Sequence, residues 1–462
     1  MLSAKALTLA AASRAAYAAS PKPNFIIFYS DDQGYGDLSC MGATDFQTPN
    51  LDKLAASGVR FTDWYSNAPV CGPSRAALMS GCYPGNAGVR GNIGGGRDMP
   101  GMSLDNPTIA QALKPLGYHT ALLGKWHLGS AKGYRPYERG FDEFYGFLNG
   151  CIDYYSHIFY WGMAGGHMDP EHDLWENGNE IYENGEYFTE SITERATDFI
   201  ERAAKADEPF FLCCTYNAPH YPMHAPQKYI DRFPNLPWDR QIMAAMISAL
   251  DDSVGAILAQ LEQRGLRENT FVFFQSDNGP SRESRNWLDG TRDPYYGGTT
   301  GKLKGHKFSV YEGGIRVPAI MSWPAQIPPG RVLDEVGATM DVFPTFLKAA
   351  RGDPAQYKLD GVDILSMVAG KEKSPHDYLF WESGIQTAVR HGPWKLVLNG
   401  QLVEEEPGTE DDKIHLSNLD EDLGERTNLK DKHPDITNKL KTAAEKWRKQ
   451  IDEHNKKKPK AR

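Results

Sequence analysis

Four short apolar runs in this chain each break off at a polar residue. Asn24-Phe25-Ile26-Ile27-Phe28-Tyr29 stops before Asp31-Asp32, and Tyr118 to Leu123 stops before Gly124-Lys125. Pro209 to Tyr216 stops before Asn217, and Thr270 to Phe274 runs out just ahead of Asp277-Asn278. Unbroken apolar runs of this length are the pattern of strands buried on both faces, as in a parallel sheet. Helical periodicity fills the gaps. Thr48 caps a helix with Pro49 in its first turn, and Ile109 to Leu116, Ser191 to Ala204 and Met243 to Arg264 continue the pattern. Strands alternating with helices predict an α/β sandwich built on a large, mostly parallel central sheet flanked by helices.

The texture changes near residue 370. Tyr378 to Trp381, Thr387 to Arg390, Trp394 to Leu398 and Ile414 to Leu416 read as short strands between Gly, Pro and acidic turns. A helix from about Asp435 to Ile451 follows, then a lysine-rich tail. The expected organisation is a leader over 1–20, a large unit over 21–370, and a small C-terminal α+β subdomain over 371–462. That subdomain is an antiparallel sheet packed with one helix.

Composition adds limits. Hydrophobic content of 40% and charged content of 24% are ordinary for a globular enzyme. A net charge of −10 argues against a nucleic-acid partner, though a local cluster of cations can still receive an anion. No apolar run reads as a membrane span. Lys5, the apolar stretch Ala6 to Ala12 and Ala16-Tyr17-Ala18 resemble a signal peptide with its cleavage site, which places the protein as secreted or periplasmic. Arg14 interrupts that pattern, and a disordered leader or a misplaced start codon is the alternative. Six cysteines (40, 71, 82, 151, 213 and 214) show no metal-type spacing, and Cys213 and Cys214 sit in an apolar run as structural thiols.

Chemistry gathers at strand ends. In open α/β sheets the carboxyl ends of strands form the ligand crevice, so Asp31 and Asp32 can meet Asp277 and Asn278 there. Three carboxylates and an amide oxygen suit Ca²⁺ or Mg²⁺, and not zinc. Taken alone, either pair is more simply a helix cap or a turn. Cys71-Gly72-Pro73-Ser74-Arg75 precedes a helical segment, which puts Cys71 just before a helix N-terminus, where negative charge is favoured. Gly124-Lys125-Trp126-His127 closes the second strand; if extended, Lys125 and His127 point to one side. His220 follows the third strand, and Lys307 lies just before Tyr311-Glu312-Gly313-Gly314.

Taken in order, these segments resemble the type I sulfatases of the alkaline-phosphatase-like superfamily. The resemblance rests on Asp31 to Asp37, Cys71 to Arg75, Gly124 to Gly129, Ala218-Pro219-His220, Ser276 to Gly279, and Lys307 with Glu312-Gly313-Gly314. Gly140-Phe141-Asp142 and Asp153 to His157 are most similar to the arylsulfatase A and B branch. The resemblance implies a sulfuric ester hydrolase in which a separate maturation enzyme oxidises Cys71 to formylglycine. The hydrate of that aldehyde would supply the attacking hydroxyl. Asp31, Asp32, Asp277 and Asn278 would hold Ca²⁺, with the converted Cys71 also at the metal. Arg75 would steady the hydrate; Lys125, Lys307 and Ser156 would grip sulfate oxygens. His220 would protonate the leaving alcohol and His127 would take a proton from the hydrate. The implied substrate is a sulfated carbohydrate.

Departures from the family pattern are few: Ser80, Leu123 and His306. His306 either shapes the sulfate-side pocket or is a surface histidine. Two other functions stay open: a phosphonate monoester or phosphodiester hydrolase on the same scaffold, and a non-catalytic sulfoglycan-binding protein. Tyr154, His157, His224 and the segment from Trp161 to Glu176 are candidates for the leaving-group side.

Overall fold

A computed structural model describes residues 21–159, 170–282, 296–403 and 408–457. The leader over 1–20, the end of the lysine-rich tail and most of the candidate segment from Trp161 therefore lie outside the described residues. The apolar runs form β1 (Asn24–Ser30), β2 (His119–Lys125), β3 (Phe210–Thr215) and β4 (Thr270–Ser276). They lie side by side in the order β4-β1-β3-β2, all parallel, at the centre of a ten-stranded sheet. Glu143–Phe147 extends the parallel run beyond β2, whereas Ala319–Ser322 pairs antiparallel with β4 and with Val59–Phe61. The sheet is thus parallel where the chemistry gathers and mixed at its flank.

Side-chain alternation explains why the middles of the central runs are apolar, with polar residues confined to their ends. Phe25, Ile27 and Tyr29 pack with Phe271 and Phe273 in one layer, and Ile26 and Phe28 with Val272 and Phe274 in the other. The first layer lies under α1 (Cys71–Ser80), Ile109–Leu113 and Val342–Ala349. The second lies under Pro49–Ala56, Phe188–Ala206 and α2 (Trp238–Gln263). Apart from His119 at the start of β2, both faces of the central strands are buried.

Three local expectations are corrected. Cys71 is the first residue of α1, not the residue before it; Val70 takes the extended cap position and Pro73 still falls in the first turn. The segment read as one helix from Ile109 to Leu116 is α-helical only to Leu113; Lys114–Leu116 tightens into a 3₁₀ turn containing Pro115. Helix α2 begins at Trp238 and spans 26 residues, long and apolar enough to cross a membrane by length and composition. The reading of apolar runs passed over it because polar residues interrupt its face. In the fold 72% of its most apolar window is buried, as in the core helix of a sandwich.

The C-terminal part is the expected antiparallel sheet: Leu379–Ser383, Gln386–His391, Trp394–Leu398 and Ile414–Asn418 in sequence order. The helix Pro434–Lys457 covers it through Leu440, Ala444, Trp447 and Ile451. Ions as well as apolar contact hold this sheet to the sandwich. Lys395 lies 2.8 Å from Glu312 and 3.1 Å from Glu425, and all three side chains are inaccessible to solvent. Glu425 also accepts the Glu312 backbone N–H at 2.7 Å, while Tyr65 and Arg316 bind the second Glu312 oxygen. Removing one partner of a buried pair costs about 3–5 kcal/mol, because the other charge is left uncompensated.

Two carboxylates share one lysine here, and they do not ionise alike. Burial opposes the charge on Glu312, but Lys395 and Arg316 together hold it down to about 2. Burial and then the nearby Glu312 charge, against the pull of Lys395, push Glu425 up to about 7. The folded protein therefore keeps a proton on Glu425 that the unfolded chain releases near 4.5. That contribution to stability is full below pH 4.5 and is lost as pH rises through about 7. Replacing Glu425 by Gln should flatten this dependence: calorimetric melting at pH 5 and pH 8 should show the wild type losing several degrees relative to E425Q on going to pH 8. A difference between the two proteins that does not change with pH would refute the assignment.

Candidate active site

Register delivers the polar groups to one level. Ser30 of β1 pairs with Ser276 of β4, so Asp31 and Asp277 emerge one step beyond at the same height. Tyr29 is level with Thr215, which is level with Gly124, so Lys125 leaves β2 beside them. Asp32 takes a left-handed backbone (φ 60°) that turns its N–H onto Asp277 Oδ1 at 3.1 Å. His127 also has positive φ (55°), so the chain is not extended from Lys125 to His127 as the spacing suggested. Non-glycine residues rarely adopt this conformation, and such strain concentrates at functional sites.

Helix α1 brings the remaining groups from below. Ser74 is locked between Tyr29 and Ser66 by hydroxyl contacts of 2.7 Å each, and Asn92 accepts the Gly72 N–H at 3.1 Å. With its first turn fixed, α1 sets Cys71 Sγ 3.4 Å from Asp31 and 4.0 Å from Asp32. Arg75, one turn on, reaches Asp277 at 3.0 Å and Asp31 at 3.5 Å, and donates to the Lys125 carbonyl at 3.1 Å. Lys125 Nζ lies 2.5 Å from Asp31; Lys307 Nζ lies 2.9 Å from Asp32 and 3.3 Å from His220 Nε2. Asn278 donates to Asp32 at 2.7 Å. Asn92 is exposed, but none of the charged groups, Cys71, His220 or Asn278 is more than 5% exposed.

Carboxyl groups and cations in this pocket are equal in number, three against three. Asp31, Asp32 and Asp277 face Arg75, Lys125 and Lys307. Although burial opposes its ionisation, Lys125 and His220 hold the Asp31 carboxyl far below the usual carboxylate range. Burial and then the Asp31 charge push Asp277 well above it. Burial lowers both His220 and His127; for His127 the Lys125 charge adds to the effect, while for His220 the Asp31 charge opposes it. Both imidazoles are therefore neutral near pH 7. The Cys71 thiol is pushed well up, by burial and then by Asp31, so as encoded it is a poor nucleophile.

The residues fit a divalent cation. One ligand atom from each of Asp31, Asp32, Cys71 and His220 lies within 4.8 Å of the others. Asn278 Oδ1 is buried without a hydrogen-bond partner, an acceptor with room for a cation. The amide orientation that turns its nitrogen to Asp32 is an assignment that a bound ion would reverse. Asp277 accepts the Asp32 N–H with one oxygen and Arg75 with the other; with Asp31, Asp32 and Asn278 it offers oxygen donors of hard-ion character beside the Cys71 sulfur and the His220 nitrogen.

Not every expected residue joins this centre. Ser156 Oγ donates to Asp153 at 2.9 Å, and among the described residues no hydrogen bond links it to the buried cluster. The opposite oxygen of Asp153 lies 3.2 Å from His224. The connection to the site runs through Tyr154, whose hydroxyl donates to the Asn217 and His220 carbonyls at 2.8 and 2.9 Å and so fixes the turn that carries His220. Sequence reasoning missed two more contributors, Asn92 at the start of α1 and the Ile93 carbonyl 3.1 Å from His127 Nε2. Their signal was the Gly-rich stretch Gly91-Asn92-Ile93-Gly94-Gly95-Gly96, whose lack of periodicity is itself the mark of a loop wrapped on something.

A sulfatase family model matches residues 23–352, and a model for the C-terminal region of N-sulphoglucosamine sulphohydrolase matches 305–450. The chain belongs to the sulfatase family. It is a sulfuric ester hydrolase of the type I, arylsulfatase-like branch. The N-acetylgalactosamine-6-sulfatase of Canis lupus familiaris is 33% identical over 405 residues, covering 84% of this chain and 74% of that one. Arylsulfatase A of Homo sapiens is 32% identical over 453 residues, covering 91% and 86%. Among solved structures, Ps i-CgsB in complex with k-i-k-neocarrahexaose superposes with a TM-score of 0.80 at 32% identity, covering 92% of this chain and 93% of that one. The alkaline-phosphatase-like architecture of this sulfatase agrees with the sandwich described above.

If the carboxylates and Asn278 hold Ca²⁺, titration calorimetry should show one site per chain. Asp32→Ala should weaken that site by more than about tenfold, since one charged ligand is lost. Equal affinity in the variant would show that the ion sits elsewhere.

Proposed function

We propose that this sulfatase hydrolyses a sulfate ester of a sulfated carbohydrate, with a nucleophile made by oxidising Cys71 to formylglycine and with Ca²⁺ held by Asp31, Asp32, Asp277 and Asn278. One observation carries the reading. Cys71, at the first position of α1, lies beside Asp31 and Asp32 in a pocket of three carboxylates and three cations, yet its thiol is held protonated. A thiol so placed serves poorly as a nucleophile, while the hydroxyls of an aldehyde hydrate there would have carboxylate acceptors within reach. The hydrate supplies one hydroxyl to attack sulfur and a second whose proton loss expels sulfate. Ca²⁺, when bound, polarises the sulfate.

The remaining work falls to this chain's own groups. Arg75 is anchored on Asp277 and orients the converted side chain from one turn below. Lys125 and Lys307 offer ammonium groups to sulfate oxygens. His220, neutral and joined to Lys307, is placed to deliver a proton to the leaving alcohol once charged. His127, its Nε2 on the Ile93 carbonyl and its Nδ1 without a hydrogen-bond partner among the described residues, can take a proton from the hydrate. Exclusion of water by the buried walls strengthens each of these interactions. Ser156 belongs to the same proposal as a substrate contact at the mouth, on the loop that Tyr154 ties to His220.

The catalytic unit in this reading is 21–370, with 371–462 as the C-terminal subdomain. The maturation enzyme is a required partner, and export into the secreted or periplasmic space follows from the leader over 1–20. Mass spectrometry of the Cys71 peptide, from a host with the maturation enzyme, should show an aldehyde in place of the thiol. Cys71→Ala should lower kcat/KM for a sulfate ester by at least about 10³-fold, since the nucleophile is lost. Faster turnover of a phosphonate monoester than of any sulfate ester would overturn the reaction class. A thiol that is never converted, with no turnover, would favour a sulfoglycan-binding protein.

A further inference from the structure

A second concentration of positive charge lies next to the buried centre and takes no part in it. A cavity of about 560 Å³ is lined by Arg282, Lys302, Lys304, His306, Glu425 and Arg426, with small loop residues filling the gaps. This volume is in the range of a small-molecule site. Its charges are unequal in effect. Lys304 is engaged by Asp412 at 3.2 Å and lies 3.9 Å over the Tyr311 ring. The Glu425 carboxylate is turned away, onto Lys395 and the Glu312 N–H. Arg282 lies over the Tyr296 ring, and neither it nor Lys302 nor Arg426 has a carboxylate partner among the described residues. Three cations around one cavity with no carboxylate partner among the described residues stand out in a chain whose net charge is −10.

The walls of this cavity are continuations of the catalytic loops. Arg282 follows Asn278 by four residues, and a chain spans at most about 3.6 Å per residue, which confines it to about 14 Å. Pro280, between them, accepts the Lys307 N–H at 3.0 Å. His306 is the chain neighbour of Lys307, so one loop lines the catalytic pocket with Lys307 and this cavity with His306. His306 is half-buried and kept neutral by burial and by Arg282, pushed down to about 4. It is thus a wall residue of a binding cavity and not a free surface histidine.

We infer that this cavity is an anionic subsite, which binds a second sulfate or carboxylate group on a neighbouring sugar unit of the same chain. The inference rests on the proposed sulfated-carbohydrate substrate and narrows it to polyanionic glycans. A single sulfate fills the catalytic pocket; further negative charge along the chain finds Arg282, Lys302 and Arg426 within the length of a short oligosaccharide.

The test reads binding alone, on protein with unconverted Cys71, so it is independent of turnover. The probes are a short dextran sulfate, neutral dextran of the same length and inorganic sulfate. Dextran sulfate should bind, neutral dextran should not, and inorganic sulfate should bind far more weakly. The double charge reversal Lys302→Glu with Arg426→Glu should weaken dextran sulfate binding by about tenfold or more, a size expected for reversing two exposed charges. The conservative pair Lys302→Arg with Arg426→Lys should retain binding, which separates loss of charge from a folding effect, and melting temperatures check each protein. A rival site is the lysine-rich C-terminus, tested by changing Lys456, Lys457, Lys458 and Lys460 to Gln. Undiminished binding after the charge reversal, loss of binding on changing the tail, or equal affinity for inorganic sulfate would each overturn the subsite. Failure of the proposed function would appear separately, as absent aldehyde or absent sulfate-ester turnover in the matured enzyme.

Discussion

Three buried carboxylates and three buried cations hold each other in place at the carboxyl ends of β1, β2 and β4. Neither set could remain there alone, because an unpaired charge in so dry a pocket costs several kcal/mol. The balance explains the behaviour of single groups. Asp31, closest to Lys125, stays ionised; Asp277, burdened by burial and by Asp31, resists ionisation. A site arranged in this way, with both signs of charge already close together, can take a divalent ion on its carboxylates and an anion on its cations.

The scaffold meets that demand by rigidity. Register between β1 and β4 sets the height of Asp31 and Asp277, and the Tyr29–Ser74–Ser66 hydroxyl chain fixes the first turn of α1 beneath them. Left-handed backbone at Asp32 and His127 aims groups that an extended chain would direct elsewhere. Each such residue costs about 1–3 kcal/mol, and the surrounding hydrogen bonds and packed strands offset that cost.

The same principle recurs where the C-terminal sheet meets the sandwich. Glu312 stands at the end of the loop that begins with Lys307, and its carboxylate is shared among Lys395, Arg316 and Tyr65. One loop is therefore fixed at Lys307 by Asp32 and at Glu312 by Lys395 of the C-terminal sheet. Between and beside these anchors lies the cavity lined by His306, Lys302 and Arg426. The segment that follows the C-terminal sheet thus lines this cavity through Arg426 and Glu425, as well as anchoring Lys395.

Much of this was legible in the residues themselves. Apolar runs ending at Asp31, Gly124, Asn217 and Asp277 predict buried parallel strands, because only a strand dry on both faces needs no polar alternation. The ordered set from Asp31 to Lys307 carries the family and its candidate site, since each group falls at a strand end or a helix start. What tertiary structure alone decided are relations across the chain. Periodicity says nothing about register, so it could not show that Arg75 pairs with Asp277 or that Tyr154 holds the His220 turn. Extended geometry was the natural assumption for Lys125 to His127, and a single positive φ undid it. His306 and Lys302 look like ordinary surface residues in one dimension. Only the approach of residues 424–426, brought from more than a hundred positions away, makes them walls of one cavity.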